Sequence, residues 1–333
     1  MTIIDVAKAA GVSPMTVSRV INGDAGVRAE MRAAVTEAIT ALKYTPNLMA
    51  RSLVTSKEVR IGVIYSNPSA AFMSDFLAGV FEEASARAAQ LILLKGEGGA
   101  PPTRDAIEGL IASRIGGVIL APPLGESAAV RQIVTDAGLP VAVVGGVVPD
   151  AICVNIDNHR AAYDMTRHLV GLGHRRLGFV LGNRDQAASI ERLAGFEAAV
   201  RDAGTVTTHV VEGDFSYASG LIAGETLLNA ASPPSAVFAS NDDMAAAVVS
   251  VAHRRHMDVP RDLTVAGFDD STAAVTLWPP LTTIRQPVRA LAAEAMQRLI
   301  QAMRTGPSAA EVTGKTCILD HLLVERESTA APA

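Results

Sequence analysis

The stretch Thr2-Ile-Ile-Asp-Val-Ala-Lys-Ala-Ala-Gly-Val-Ser-Pro-Met-Thr-Val-Ser-Arg-Val-Ile-Asn22 reads as two short helices around a tight turn. Thr2 is placed to cap the first helix, with Asp5 three residues on as a partial capping box. Gly11 falls at the break, where a left-handed backbone carries no Cβ clash. Ser13 is a good N-cap for the second helix, and Pro14 then occupies the first helical position, where a missing N–H is harmless. Val6, Ala10, Val12, Val17 and Ile21 supply a small shared core. Thr16, Ser18, Arg19 and Asn22 remain as a short polar ridge on the second helix. A helix-turn-helix of this kind can offer such a ridge to the major groove of DNA.

Working outward, Val27 to Leu42 reads as a third helix, with Met31, Val35, Ala38, Ile39 and Leu42 at helical spacing to cover the first two. Tyr44-Thr-Pro-Asn47 breaks it. Asn47 then caps a segment, Leu48 to Leu53, with too little apolar surface to hold a helix alone. Residues 1–60 carry 8 Lys/Arg against 5 Asp/Glu, net +3, while the remainder carries 21 against 29, net −8. The overall charge of −5 argues against a nucleic-acid binder, but a basic head on an acidic body fits DNA contact at one end.

From Val59 onward strand and helix patterns alternate. Arg60 to Tyr65, Leu91 to Leu94, Gly117 to Leu120, Val141 to Val144 and Ile152 to Ile156 read as buried parallel strands, and a second series runs Leu177 to Leu181, His209 to Glu212, Ala236 to Ala239 and Leu263 to Phe268. Helical stretches separate them. The result is two doubly wound halves, each with a crevice at its strand C-termini. Residues 316–325 read as a last strand of the second half, and Ser328 to Ala333 as a disordered tail.

Together these segments, with Lys43-Tyr-Thr-Pro-Asn47, resemble the LacI/GalR family of bacterial repressors across essentially the whole chain. The resemblance implies a multi-domain protein: an all-α helix-turn-helix headpiece (1–45), a hinge helix and linker (46–58), and an α/β periplasmic-binding-protein-like effector domain (59–333). The effector domain divides into a first half of about 59–157 and 288–315 and a second of about 158–287 and 316–327. Trp278 to Pro287 resembles the family's return crossover between them. DNA contact is expected from Thr2, Pro14, Met15, Thr16, Ser18, Arg19 and Asn22, and from Asn47, Ala50 and Leu53 of the hinge. Met15 suits a thymine methyl, and Arg19 suits either guanine O6/N7 or a phosphate. A leucine at the position of Leu53 wedges into a central base step in this family. Thr2 follows Met1 directly, so either the phosphate contacts of a basic arm are reduced or the true start lies upstream.

The resemblance also transfers an effector site: Asn67, Ser69, Phe72 and Met73 from the first half, Asp157 at the cleft mouth, and Arg192, Phe215, Asn241 and Asp269 from the second. Arginine offers paired donors, aspartate accepts from adjacent hydroxyls, and phenylalanine covers an apolar sugar face, so a sugar is the first expectation. Purines and sugar phosphates are the alternatives, as is co-repression in place of induction. Gly145-Gly146 stands where many relatives carry a polar ligand contact. A sugar-binding receptor without DNA function is a further alternative, which the opening segment disfavours.

Other classes receive little support. Ile64-Tyr-Ser-Asn-Pro68 is no dinucleotide fingerprint, and neither a phosphate-binding Gly-Lys-Ser/Thr loop nor HExxH occurs. His253 and His256 are flanked by arginines, which disfavours a cation. Cys153 and Cys317 show no metal spacing. The expectation is therefore a protein that is not an enzyme, with no cofactor and no metal, whose partners are operator DNA, a small effector and a second copy of itself. No apolar run reaches the ~18 residues of a membrane span, and no signal peptide is legible, so the expected location is the cytoplasm.

Overall fold

The computed structural model describes residues 2–21, 26–42, 59–97, 100–305 and 316–332. The chain forms two compact units, Met1–Glu58 and Val59–Ala333.

In the first unit, α1 (Ile3–Ala10), α2 (Pro14–Ile21) and α3 (Ala29–Ala41) enclose Val6, Ala7, Val17, Val35 and Ala38. The capping box is complete: the Thr2 N–H donates to Asp5 Oδ2 at 2.7 Å, and the Asp5 N–H donates to Thr2 Oγ1 at 3.4 Å. These bonds hold the Asp5 carboxyl below its ordinary range. Gly11 sits at φ 64°, as its place in the turn requires. The Ser13 hydroxyl accepts from the Thr16 N–H at 3.1 Å and caps α2. Met31, expected in this core, is instead 40% exposed, because Val35 and Ala38 suffice to close α3 on its partners.

The second unit is two sheets, each covered by helices on both faces. The first runs in the order β11-β5-β4-β3-β1-β2, from β1 (Arg60–Tyr65), β2 (Gln90–Lys95), β3 (Gly117–Leu120), β4 (Val141–Val144), β5 (Ile152–Ile156) and β11 (Cys317–Leu319), all parallel. The second runs β12-β10-β9-β8-β6-β7, from β6 (Arg176–Leu181), β7 (Thr207–Glu212), β8 (Ala236–Ala239), β9 (Thr264–Asp269), β10 (Thr282–Arg285) and β12 (Leu322–Val324); only the β10–β12 pair is antiparallel. In both, chain order reverses between the first and third strands. That switch point opens a crevice at the strand C-termini.

Apolar helix faces cover the sheets. In the first lobe, the helices Ala70–Ala86 and Val288–Thr305 pack on one face, and Arg104–Ala112 and Ala128–Asp136 on the other. In the second lobe, Asn158–Gly171 and Ala187–Ala203 oppose Tyr217–Leu228 and Asp242–Arg254. Glycine permits the closest crossings: a Cβ on Gly195 would stand 2.1 Å from the His159 carbonyl oxygen, and one on Gly79 2.4 Å from that of Arg289. Among the described helices, none is long and apolar enough to cross a membrane.

Three expectations need correction. Residues 316–325 are not one strand of the second half. Cys317–Leu319 joins β5 in the first sheet, and Leu322–Val324 joins β10 in the second, so the chain passes between lobes at Asp320 and His321. The segment Trp278–Pro287 contains β10 as well as the crossover. Finally, Ser328–Pro332 is ordered. Ser328 is fully buried; its Oγ donates to the Val265 carbonyl at 2.5 Å and accepts the Thr282 N–H at 2.8 Å. Ala330 carries the tail further: its N–H donates to Thr264 Oγ1 at 3.1 Å, and its carbonyl lies 2.9 Å from His174 Nε2. Burial pushes the His174 imidazole down, towards the neutral form that such a network uses.

Candidate ligand cleft and nucleic-acid interface

The crevices of the two lobes face each other across one cavity of about 50 Å³. Two hydrogen bonds span the lobes beside it. Ser69 Oγ donates to Asp243 Oδ2 at 2.7 Å, and the Ala187 N–H donates to Glu126 Oε2 at 2.8 Å. Burial raises the Glu126 carboxyl above its ordinary value, against the lowering effect of that amide.

Arg192 is the charged centre of the second-lobe wall. It lies on the helix Ala187–Ala203 and is 5% exposed. Its Nε donates to Asn158 Oδ1 at 2.9 Å, its Nη1 to the Ser240 carbonyl at 2.5 Å, and its plane lies over the Phe268 ring, 3.6 Å from the centroid. Desolvation pushes the guanidinium down to about 10, which leaves it charged at neutral pH. Nη2 has no hydrogen-bond acceptor among the described residues, so it is a donor available to a ligand.

Asp269 ends β9 at φ 116°, and Phe215 sits at φ 70°. Such strain at non-glycine residues concentrates at ligand sites. Gly182 makes room for the Phe215 ring, whose nearest atom lies 2.1 Å from where a Cβ would be. Asp269 Oδ1 accepts from Gln286 Nε2 at 2.5 Å. Burial drives its carboxyl up to about 7, opposed by Arg192 and the Gln286 bond and assisted by Asp243 and Asp75. Beneath it Asp242, raised by burial and by Asp269, accepts from the Ser271 N–H and Thr283 Oγ1, both at 2.7 Å.

The Asp269 shift fixes a sign. The folded protein keeps a proton that the unfolded chain releases near pH 3.8, so the stabilisation from this group is complete below that value and lost as pH rises through about 7. Asp269→Asn should therefore gain on the wild type as pH rises from about 5 to about 8. Thermal melts across that range check this: a difference in melting temperature that stays flat or shrinks with pH would refute the assignment.

Of the residues expected in the effector site, Asn67, Ser69, Phe72, Arg192, Phe215, Asn241 and Asp269 line the cavity. Several are already engaged. Asn67 Nδ2 donates to the Pro122 carbonyl and its Oδ1 accepts the Ser69 N–H. Asn241 caps the helix Asp242–Arg254 through the Met244 N–H and donates to the Phe215 carbonyl. Two lie outside the lining. Met73, one residue beyond Phe72, turns into the first-lobe core. Asp157 is exposed and caps the helix Asn158–Gly171 by accepting the Arg160 N–H at 2.8 Å.

Sequence reasoning missed Asn155, Asn158, Gln186 and Gln286, all polar and all in the lining. Asn155 carried a signal: a lone amide inside the apolar run of β5. Gln286 follows a strand that was not anticipated.

On α2, Met15 is 73% exposed and Arg19 is exposed, so both stand on the outer surface of the first unit. Thr16 shares a hydrogen bond with Ser13, 2.9 Å between hydroxyl oxygens. The Thr2 side chain is committed to its cap. Pro14 opens α2, and Ser18 lies half-buried on it. Asn22, Asn47, Ala50 and Leu53 lie outside the described residues.

Residues 2–47 match the family described as bacterial regulatory proteins, lacI family, and residues 166–329 match a periplasmic binding protein-like domain. The HTH-type transcriptional regulator CelR of Thermobifida fusca is 36% identical over 335 residues, covering 97% of this chain and 96% of the relative. Among solved structures, the transcriptional regulator CelR–cellobiose complex is similar with a TM-score of 0.72 at 31% identity, over 98% of this chain and 99% of that one. The lac repressor dimer bound to operator and the anti-inducer ONPF gives a TM-score of 0.80 at 29% identity, over 99% of both chains.

Proposed function

Because the chain belongs to the LacI family of bacterial regulatory proteins, we propose that it is a homodimeric transcription repressor, released from a pseudo-palindromic operator when a sugar occupies its cleft. The observation that carries this reading is the pairing of two features in one chain. One is a helix with Met15 and Arg19 on its outer surface. The other is a bilobed domain with a buried, charged arginine facing a buried aspartate.

The cleft is suited to holding a ligand rather than transforming one. Arg192 keeps Nη2 for a ligand oxygen, Asp269 accepts from hydroxyls, and the Phe215 ring is an apolar face for a sugar ring. These groups are fixed by second partners, which suits recognition. The protein acts where the chromosome is, in the cytoplasm.

On the DNA side, α2 enters the major groove with Met15 towards a thymine methyl and Arg19 towards guanine or phosphate. Thr2, Pro14, Thr16, Ser18 and Asn22 border that contact. The hinge contribution of Asn47, Ala50 and Leu53 to the minor groove rests on the family resemblance.

Coupling follows from a cleft whose walls belong to two lobes. A ligand that engages both walls acts on the angle between lobes and on the interlobe bonds at Asp243 and Glu126. A ligand shifts an equilibrium only by its differential affinity for the two states, and here the states differ in that angle.

The test is a thermal-shift screen of the full-length protein with neutral sugars, sugar phosphates and purines. A neutral sugar should raise the melting temperature by mass action. Stabilisation by purines or sugar phosphates with no response to any neutral sugar would overturn the sugar assignment.

A further inference from the structure

Asn155 interrupts a buried apolar strand. It lies in β5 between Val154 and Ile156, is 5% exposed, and lines the cavity on the first-lobe side. Its Nδ2 donates to the Gly146 carbonyl at 2.9 Å. A carbonyl only accepts, so this bond fixes which end of the amide is nitrogen. The oxygen is left at the other end, buried, with no hydrogen-bond partner. Among the described residues, Asn155 is the one cavity-lining residue with such an orphaned side-chain atom. Leaving a buried acceptor unpaired is unfavourable, and a ligand donor would remove that cost.

The neighbouring wall cannot do this work. Gly145 lies at φ 81°, with Pro122 Cγ 2.8 Å from where a Cβ would stand, so no larger residue fits there. The other first-lobe polar residues at the cavity, Asn67 and Ser69, are committed to Pro122 and Asp243. The chain thus lacks a polar side chain at 145–146 and carries one at 155 instead.

We propose that Asn155 Oδ1 is the first-lobe acceptor for a hydroxyl of an uncharged polyol, and the residue through which a ligand held by Arg192 and Asp269 engages both lobes. This deepens the sugar reading above and rests on it. An acceptor with no hydrogen to give repels a carboxylate or phosphate oxygen, so the geometry selects against anionic sugars. It also makes the acceptor sensitive to one hydroxyl of the ligand, since that position alone would supply its donor.

The experiment is calorimetric titration of full-length wild type, Asn155→Ala and Asn155→Val with glucose, cellobiose and ribose. It continues with the singly deoxygenated forms of whichever binds best. Valine matches the neighbours of Asn155 in the strand and keeps the test open if alanine leaves a damaging void. Both variants should keep operator affinity in the absence of sugar and bind sugar about tenfold more weakly or worse. One deoxy sugar should lose the same factor against wild type yet lose nothing further against the variants, which a merely structural role for Asn155 would not produce. Variants that bind like wild type, or that discriminate among the deoxy sugars as wild type does, would overturn the assignment of Asn155 alone. A wild type that binds none of the three sugars but does bind their phosphates or a purine would overturn the sugar reading itself.

Discussion

Arg192→Ala is expected to reduce effector affinity by about 100- to 1000-fold, the loss of one or two charge-assisted hydrogen bonds at about 1.5–3 kcal/mol each. The effect reaches beyond the missing contact. Arg192 is the attractive charge that opposes burial of the Asp269 carboxyl, which already sits up at about 7. Without it that carboxyl is driven further up, towards its neutral form, so the cleft loses negative charge on its acceptor along with its donor. Asn158 Oδ1 and the Ser240 carbonyl also lose their partner. Arg192→Lys keeps a charge but not the planar fork that serves both acceptors and lies on Phe268; it should recover a minor part of the affinity. Calorimetric titration with the sugar identified by thermal shift measures this. An alanine variant that folds and binds with undiminished affinity would remove Arg192 from the site.

Gly195→Ala is expected to be the most destabilising single methyl in the second lobe. The helices Asn158–Gly171 and Ala187–Ala203 cross at this point, and the added carbon would stand 2.1 Å from the His159 carbonyl oxygen and 3.1 Å from the Tyr163 nitrogen. Both obstacles are backbone, so no side-chain rotation relieves them. The helices must separate, and the core that Phe196 shares with Phe179 must loosen. Overpacking of this kind costs about 3 kcal/mol. In a domain of this size that lowers the effector-domain melting temperature by about 10 °C. Gly109, on the open side of the helix Arg104–Ala112, has nothing within 4 Å of its Cβ position. Gly109→Ala should leave the melt unchanged or raise it, which makes it the matched control. Equal melts for the two variants would contradict the close crossing.

How much of this was legible depended on how local the cause was. The helix-turn-helix was readable because Thr2, Asp5, Gly11, Ser13 and Pro14 act on their immediate neighbours. Buried parallel strands such as Val141–Val144 were readable as apolar runs. The crossing at Asp320–His321 was not, since two three-residue strands in different sheets look like one strand when their partners are unseen. The tail failed for the same reason: Ser328 to Pro332 has a disordered composition, and its order comes from Val265, Thr264 and His174, more than 60 residues away in sequence. Within the cleft, the polar residues at strand ends were found, but their division of labour was not. Asp157 and Asn241 look alike on paper, each a polar residue ahead of a helix; both cap, and of the two Asn241 also faces the cavity. Phe72 and Met73 both belong to the first-lobe core, and of the two Phe72 also lines the cavity.

A repressor of this kind requires coupling between cleft and DNA. The direct measurement is fluorescence anisotropy of the full-length protein on an operator duplex selected from random DNA, titrated with and without a saturating neutral sugar. The predicted result is an operator affinity lowered at least about tenfold by the sugar, with the sugar's own affinity lowered by the same factor when operator is bound, as linkage requires. An operator affinity that the bound sugar leaves unchanged, or raises, would contradict it.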